Sequence, residues 1–279
     1  MTPQPTMRTC SMRSPHNSAK IPEPRRPGLL RRAMLRLVAG AAIIASHGAA
    51  AVNPVTEFSS GEQQVTVIEL FTSEGCSSCP PADRWLSELR QDPGLWQEFV
   101  PLAFHVDYWD YIGWRDRFAA PEFAARQREY ARTGGVSTVY TPGFIVNGQE
   151  WRGWFRGHAR PASSATVGAL NARFGDNTVA IRFAPVADRG DYVGHAALLG
   201  ADLATEVRAG ENRGRQLRHD FVVLARRQVG LSTTGAVHSG QLEFVPTDTG
   251  SGLPAALAVW VTRRGELAPL QATGGWLPR

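Results

Sequence analysis

The sequence predicts an α/β domain over residues 52–175 followed by a small all-β, sandwich-like domain over 176–279, the two preceded by an export signal at 1–51. Three observations carry this division. A β-branched run from Val65 to Phe71 reads as a mostly buried strand, and after the turn TSEG the apolar residues Trp85, Leu86 and Leu89 recur at helical spacing. Beyond residue 176, Val179, Ile181 and Phe183, then Leu217, Phe221 and Val223, sit among polar neighbours, with AGENRGR and TRRG as hairpin turns. The first 51 residues are basic, then apolar, then alanine-rich. At 279 residues, 43% hydrophobic and 20% charged, the chain is long enough to bury a core in each part and too apolar to be disordered.

The leader places Arg25, Arg26, Arg31, Arg32 and Arg36 before the apolar stretch Leu37 to Ala45 and the sequence Ala49-Ala50-Ala51, the order of an export signal. Ten residues separate Arg36 from His47, short of the roughly 20 that span a bilayer, so no stable membrane insertion is expected after cleavage and the protein is expected in the periplasm or secreted. Residues 1–51 hold eight Lys/Arg and one acid, Glu23. The remainder holds 22 Arg against 24 Asp/Glu, so the overall charge of +5 belongs to the leader. A net-acidic body without a basic stripe excludes a nucleic-acid partner.

Cleavage leaves two cysteines, Cys76 and Cys79, which in an oxidising compartment form a disulfide. A loop that short removes little unfolded-state entropy, so stapling is a weak reason for the pair. Pro80 and Pro81 fit only a first helical turn, which puts Cys76 at a helix N-terminus, where a thiolate is favoured and the thiol pKa lowered. Cys76 is then the nucleophile and Cys79 the resolving thiol. Gly94, after Asp92-Pro93, ends the helical region. A second strand follows from Phe99 to Val106, then the aromatic segment DYWDYIGWRDRFA, and a helix from Pro121 to Gly134-Gly135. Thr141-Pro142 precedes a strand, an Asn147-Gly148 turn and a return strand, and Ala162 to Phe174 is expected as a closing helix. Strand-like runs near residues 178, 193, 203, 217, 241, 256 and 267 make up the β-rich part.

Strand, CxxC helix and later Thr-Pro together resemble the thioredoxin fold, and a resemblance of that kind implies that a cis-Pro142 faces the cysteines. More narrowly, VIELFTSEGCSSCPPAD and HVDYWDYIGWRDRFA resemble the secreted bacterial family called domain of unknown function 1223, which implies a fold and an exported location but no activity. Ser77-Ser78 stands where thioredoxin has Gly-Pro, so a redox potential does not carry over.

Each candidate residue has a plain structural alternative. Cys76 and Cys79 suit thiol–disulfide chemistry, metal binding or an inert disulfide, with redox chemistry favoured by the surrounding pattern. Glu69 shares a strand face with Val65, Val67 and Phe71, and serves either as a proton shuttle for the cysteines or as a buried acid paired with an arginine. His105 and Asp107, at the end of the second strand, read as a metal ligand or general base, or as plain strand-end packing. Tyr108, Trp109, Tyr111, Trp114 and Phe118 suit a peptide groove or packing under a loop. Glu211, Arg213, Arg215 and Arg218 read as a solvated ion-pair network. The expected function is an exported thiol–disulfide oxidoreductase acting on protein thiols and disulfides through Cys76 and Cys79, with Pro142 and Glu69 as further site residues and no cofactor. The alternatives are a periplasmic Cu(I) binder using Cys76, Cys79 and His105, or a non-catalytic adaptor.

Overall fold

The computed structural model describes residues 55–187, 190–245 and 254–278; the expected signal at 1–51 lies outside them. The N-terminal half forms β2 (Thr66–Thr72), α1 (Pro80–Glu88), β3 (Phe99–His105) and α2 (Pro121–Arg132). A short hairpin follows, β4 (Gly143–Val146) and β5 (Gln149–Glu150), whose turn residues Asn147 and Gly148 both have positive φ, as the Asn-Gly pair requires. All seven residues of β2 are buried, and so are all seven of β3. Both strands lie inside a sheet covered on its two faces, which is why their sequences run apolar without alternating.

That sheet has eight strands. Beyond β3 it continues through β11 (Val222–Gly230), β8 (Tyr192–Gly200), β14 (Ala256–Arg263) and β15 (Pro269–Trp276), giving the order β15-β14-β8-β11-β3-β2-β4-β5. The β2–β3 and β3–β11 pairs are parallel and the others antiparallel. A second sheet, wholly antiparallel, has the order β1-β6-β7-β13-β12, from β1 (Thr56–Ser59), β6 (Gly168–Gly175), β7 (Thr178–Pro185), β12 (Ser232–Thr234) and β13 (Val237–Glu243). A two-stranded arm, β9 (Leu203–Glu206) with β10 (Gln216–His219), stands apart from both.

Two expectations need correction. The closing helix at Ala162 to Phe174 is absent; its second half is β6, whose Leu170 and Ala172 are buried while Asn171 and Arg173 are exposed, a period of two that overrides helical propensity. The boundary near Gly175 is a hairpin turn. Asp176 and Asn177 both have positive φ, and β6 pairs with β7 from Gly168–Pro185 to Gly175–Thr178. The strands expected after residue 176 are present, with β11 and β12 in addition, but β8, β11, β14 and β15 build the large sheet with the N-terminal half. Along β14, Ala256, Ala258 and Trp260 point into the core shared with β2, β3 and the helices, while Leu257, Val259 and Val261 point into the core between the two sheets. The sandwich expected of the C-terminal part is this second core, and β6 from the N-terminal part contributes Leu170 and Ala172 to it.

Candidate functional site

Cys76 and Cys79 lie at disulfide distance, their Cα atoms 5.4 Å apart, at the start of α1. The helix begins one turn later than expected: Cys79 is its N-cap and Pro80 its first residue. Neither proline has an N–H, and the Cys79 N–H is spent on the Cys76 carbonyl at 3.2 Å, so few free donors remain to solvate a thiolate at Cys76. The nearest side-chain partner of the Cys76 sulfur is Ser78 Oγ, at 3.3 Å. Both cysteines are buried, whereas Ser77 and Ser78 between them are exposed.

A buried polar cluster adjoins the pair. Glu74, two residues before Cys76, is wholly buried and accepts the Trp114 indole N–H at 2.8 Å. Its other oxygen is 3.5 Å from His219 Nε2. Asp83, one helical turn after Cys79, accepts the Thr72 hydroxyl at 3.2 Å and lies 3.9 Å from His219 Nδ1. His105 Nδ1 bonds Asp116 at 2.7 Å, and the same carboxylate accepts the Glu74 N–H at 2.9 Å. The rings of His105 and His219 meet edge to face at 4.9 Å. Burial lowers the pKa of His105, but the charge and hydrogen bond of Asp116 outweigh it and raise the imidazole to about 9. Asp116 is in turn held below the usual range: burial raises its pKa, and His105 with two backbone N–H groups more than reverses that. Burial pushes Asp83 up, opposed by His219 and His105. Three carboxylates and two imidazoles packed this closely can accept, hold or release protons away from water.

The arm closes the site from the C-terminal half. The buried amide of Asn212 donates to the carbonyls of Glu74 (2.8 Å) and Cys76 (2.9 Å), and Glu211 accepts the Ser77 N–H at 3.0 Å. A Cβ added to Gly75 would sit 3.1 Å from Trp109 Cβ, so a larger residue there would press on the aromatic segment. Trp109 also donates its indole N–H to the Thr141 hydroxyl at 2.7 Å, linking the CxxC turn to the Thr141–Pro142 bond, which is cis.

Glu69 follows the bland reading. It accepts Arg126 Nε at 2.6 Å and Nη2 at 2.9 Å, together with the Tyr130 hydroxyl, all buried. Both of its oxygens are thus engaged by Arg126 and Tyr130. His105 is next to Asp116 and not grouped with the cysteines, and among the described residues no three His, Cys, Asp or Glu side chains are arranged to hold a metal ion. Asp107 is half-buried outside the cluster. Of the aromatic segment, Phe118 packs on His105 and His219, Trp114 serves Glu74, and Tyr111 is exposed. The reading missed Glu74, Asp83 and Asp116, although all three stand inside the motifs that gave the resemblance. Asn212 and His219 carried no local signal, because 136 residues separate Asn212 from Cys76.

Fold comparisons give two solved relatives. A crystal structure of a protein from Agrobacterium tumefaciens is 27% identical, with a TM-score of 0.57 over 76% of this chain and 94% of that one. HBP35 of Porphyromonas gingivalis, 14% identical, has a TM-score of 0.51 over 77% and 76%, a likeness of fold alone. No curated protein matches the chain significantly. The family described as protein of unknown function DUF1223 matches residues 67–262, from β2 through the CxxC turn and the arm to the end of β14, and the chain belongs to that family.

Proposed function

We propose that the protein is an exported thioredoxin-fold thiol–disulfide oxidoreductase whose reactive pair is Cys76 and Cys79. The observation that carries this reading is a CxxC pair at a strand-to-helix turn, linked through Trp109 to the Thr141–Pro142 loop and adjoined by a buried cluster of carboxylates and imidazoles. An inert staple accounts for none of these neighbours. Cys76 is the attacking thiol, since it lies beside the exposed Ser77-Ser78 edge, and Cys79, which caps the helix, resolves the mixed disulfide. In the reduced protein the Asp83 carboxylate, one turn below Cys79 and shifted upward by burial, is better suited to take up a thiol proton than the ion-paired Glu69.

Single-cysteine variants test this. Cys79→Ser retains the nucleophile without the thiol that ends the encounter, so it accumulates mixed disulfides with periplasmic proteins on non-reducing gels; Cys76→Ser traps far fewer. Equal, negligible trapping by both variants would refute the oxidoreductase reading.

A further inference from the structure

The turn AGENRGR is not the ion-pair network its composition suggests. Glu211 is committed to the Ser77 N–H at 3.0 Å, Arg218 is paired with Asp202 at 3.1 Å, and Arg215 donates to the Asn212 side-chain oxygen at 3.0 Å. The guanidiniums of Arg208 and Arg213 have no hydrogen bond or ion pair among the described residues. These arginines surround a cleft of about 460 Å³ at the tip of the arm, lined by Glu206, Val207, Arg208, Arg213, Arg215 and Gln216. Three guanidiniums thus face one carboxylate. The arm's backbone fixes them there, with Val207 N–H on the Arg215 carbonyl (2.9 Å) and Gly214 N–H on the Val207 carbonyl (2.8 Å). Arg215 reaches the cysteines in two hydrogen bonds, because the amide it grips through Asn212 Oδ1 is the one that holds the Cys76 carbonyl.

We propose that this cleft docks an acidic segment of a substrate protein beside the substrate's disulfide, a proposal that rests on the oxidoreductase reading for its chemistry. Guanidiniums without anionic partners, carried on a hydrogen-bonded hairpin, are fit to bind carboxylates in paired hydrogen bonds. Their attachment to the CxxC turn places the bound segment at the shoulder of Cys76. In the exchange, the Cys76 thiolate attacks one sulfur of the substrate disulfide. A Cys76–substrate S–S bond forms as the substrate bond breaks, and the other substrate sulfur leaves as a thiolate. The Cys79 thiolate then attacks Cys76, re-forming the internal disulfide and releasing the second substrate thiolate. Two electrons pass from the protein dithiol to the substrate, and the two protons lost by Cys76 and Cys79 balance those the substrate thiolates take up.

The test uses the mature protein, a cysteine-free acidic peptide and neutral and basic counterparts, read by fluorescence anisotropy, with the same peptides carrying a disulfide as substrates for the pre-reduced protein. Binding of the acidic peptide is expected to be about five- to tenfold tighter than that of the neutral one at low ionic strength, the size that two or three exposed ion pairs supply. The preference is expected to vanish near about 0.5 M salt and in Arg208→Gln/Arg213→Gln, whose thermal midpoint stays that of the wild type. Equal binding of all three peptides, or a preference that survives the double substitution, overturns the proposal. Displacement of the peptide by oxidised glutathione at comparable concentration, with the same arginine dependence, also overturns it by assigning the cleft to a small anionic disulfide. If the acidic peptide binds selectively but no peptide disulfide is reduced, the docking site stands and the oxidoreductase reading fails. If the neutral disulfide is reduced and acidity brings no advantage, that reading stands and the docking site fails.

Discussion

His105 and Asp116 form the most completely buried charged pair of the candidate site, and their titration gives stability a definite pH dependence. An imidazole whose folded pKa is about 9, against an ordinary 6.5, contributes its full stabilisation below pH 6.5 and loses it as pH rises through 9. Asp116, shifted downward, contributes above its ordinary 3.8 and loses that contribution as pH falls. Thermal melts are therefore expected to show a plateau between about pH 4 and 6.5 and a decline from there to pH 9. Asp116→Asn, which strands a buried imidazole and weakens two backbone contacts, is expected to cost about 3–5 kcal/mol in denaturant melts and to flatten the alkaline decline. Retention of that slope in the variant would show that another group causes it. Glu69→Gln provides the contrast. Breaking its pairing with the buried Arg126 should destabilise the fold by a similar amount, about 3–5 kcal/mol, while the thiol-exchange rate per folded molecule stays unchanged; a selective loss of exchange would restore Glu69 to the chemistry.

The arm is the element that couples the two halves of the sequence at the site. Cys76 is nearly inaccessible at 1% exposure, and Glu211 and Asn212 tie the arm to the turn that carries it, so the arm is expected to govern how a partner sulfur reaches it. Asn212→Ala removes two hydrogen bonds to the CxxC turn, and reduction of the disulfide by dithiothreitol is expected to be a few-fold faster than in the wild type; an unchanged rate would mean that the arm does not control access. What the sequence disclosed divides along the same line. The CxxC turn, α2, the Asn147-Gly148 hairpin and the Thr141-Pro142 loop were legible because turn chemistry and periodicity act over a few residues. The covering arm was not, since contacts between Asn212 and Cys76 depend on how distant strands are ordered, and no local pattern encodes that order. The helix expected at 162–174 failed for a related reason: the partner that makes β6 a strand, β7, begins just past the boundary placed there.

At the scale of the whole molecule, the described residues from 55 to 278 belong to one compact unit. The N-terminal half supplies β2 and β3 to the large sheet, and the C-terminal half supplies β11, which extends it in parallel from β3, with the Ala103 N–H bonded to the Phe221 carbonyl at 2.8 Å. The same half sends Phe221, Val223, Ala256, Ala258, Trp260 and Ala272 into the core that holds β2 and β3. Gln271 makes the dependence polar as well as apolar: its side-chain oxygen accepts the Val65 N–H at 2.9 Å, and its nitrogen donates to the Gly61, Gln63 and Gly168 carbonyls. A fragment ending at Gly175 would expose one edge of β3, strip Phe221, Val223 and Trp260 from the core around it and leave β1 and β6 without the rest of their sheet. Each large core side chain left exposed forfeits about 1.5–3 kcal/mol, so stripping the side chains that pack on Phe221, Val223 and Trp260 costs an amount comparable to the 5–15 kcal/mol that holds a typical domain together. Residues 52–175 expressed alone are therefore expected to lack cooperative thermal unfolding and dispersed amide resonances, while 52–279 unfolds in one transition by both circular dichroism and tryptophan fluorescence. A fragment that melted cooperatively by itself would show that the CxxC half carries a sufficient core and that the C-terminal half is added to it.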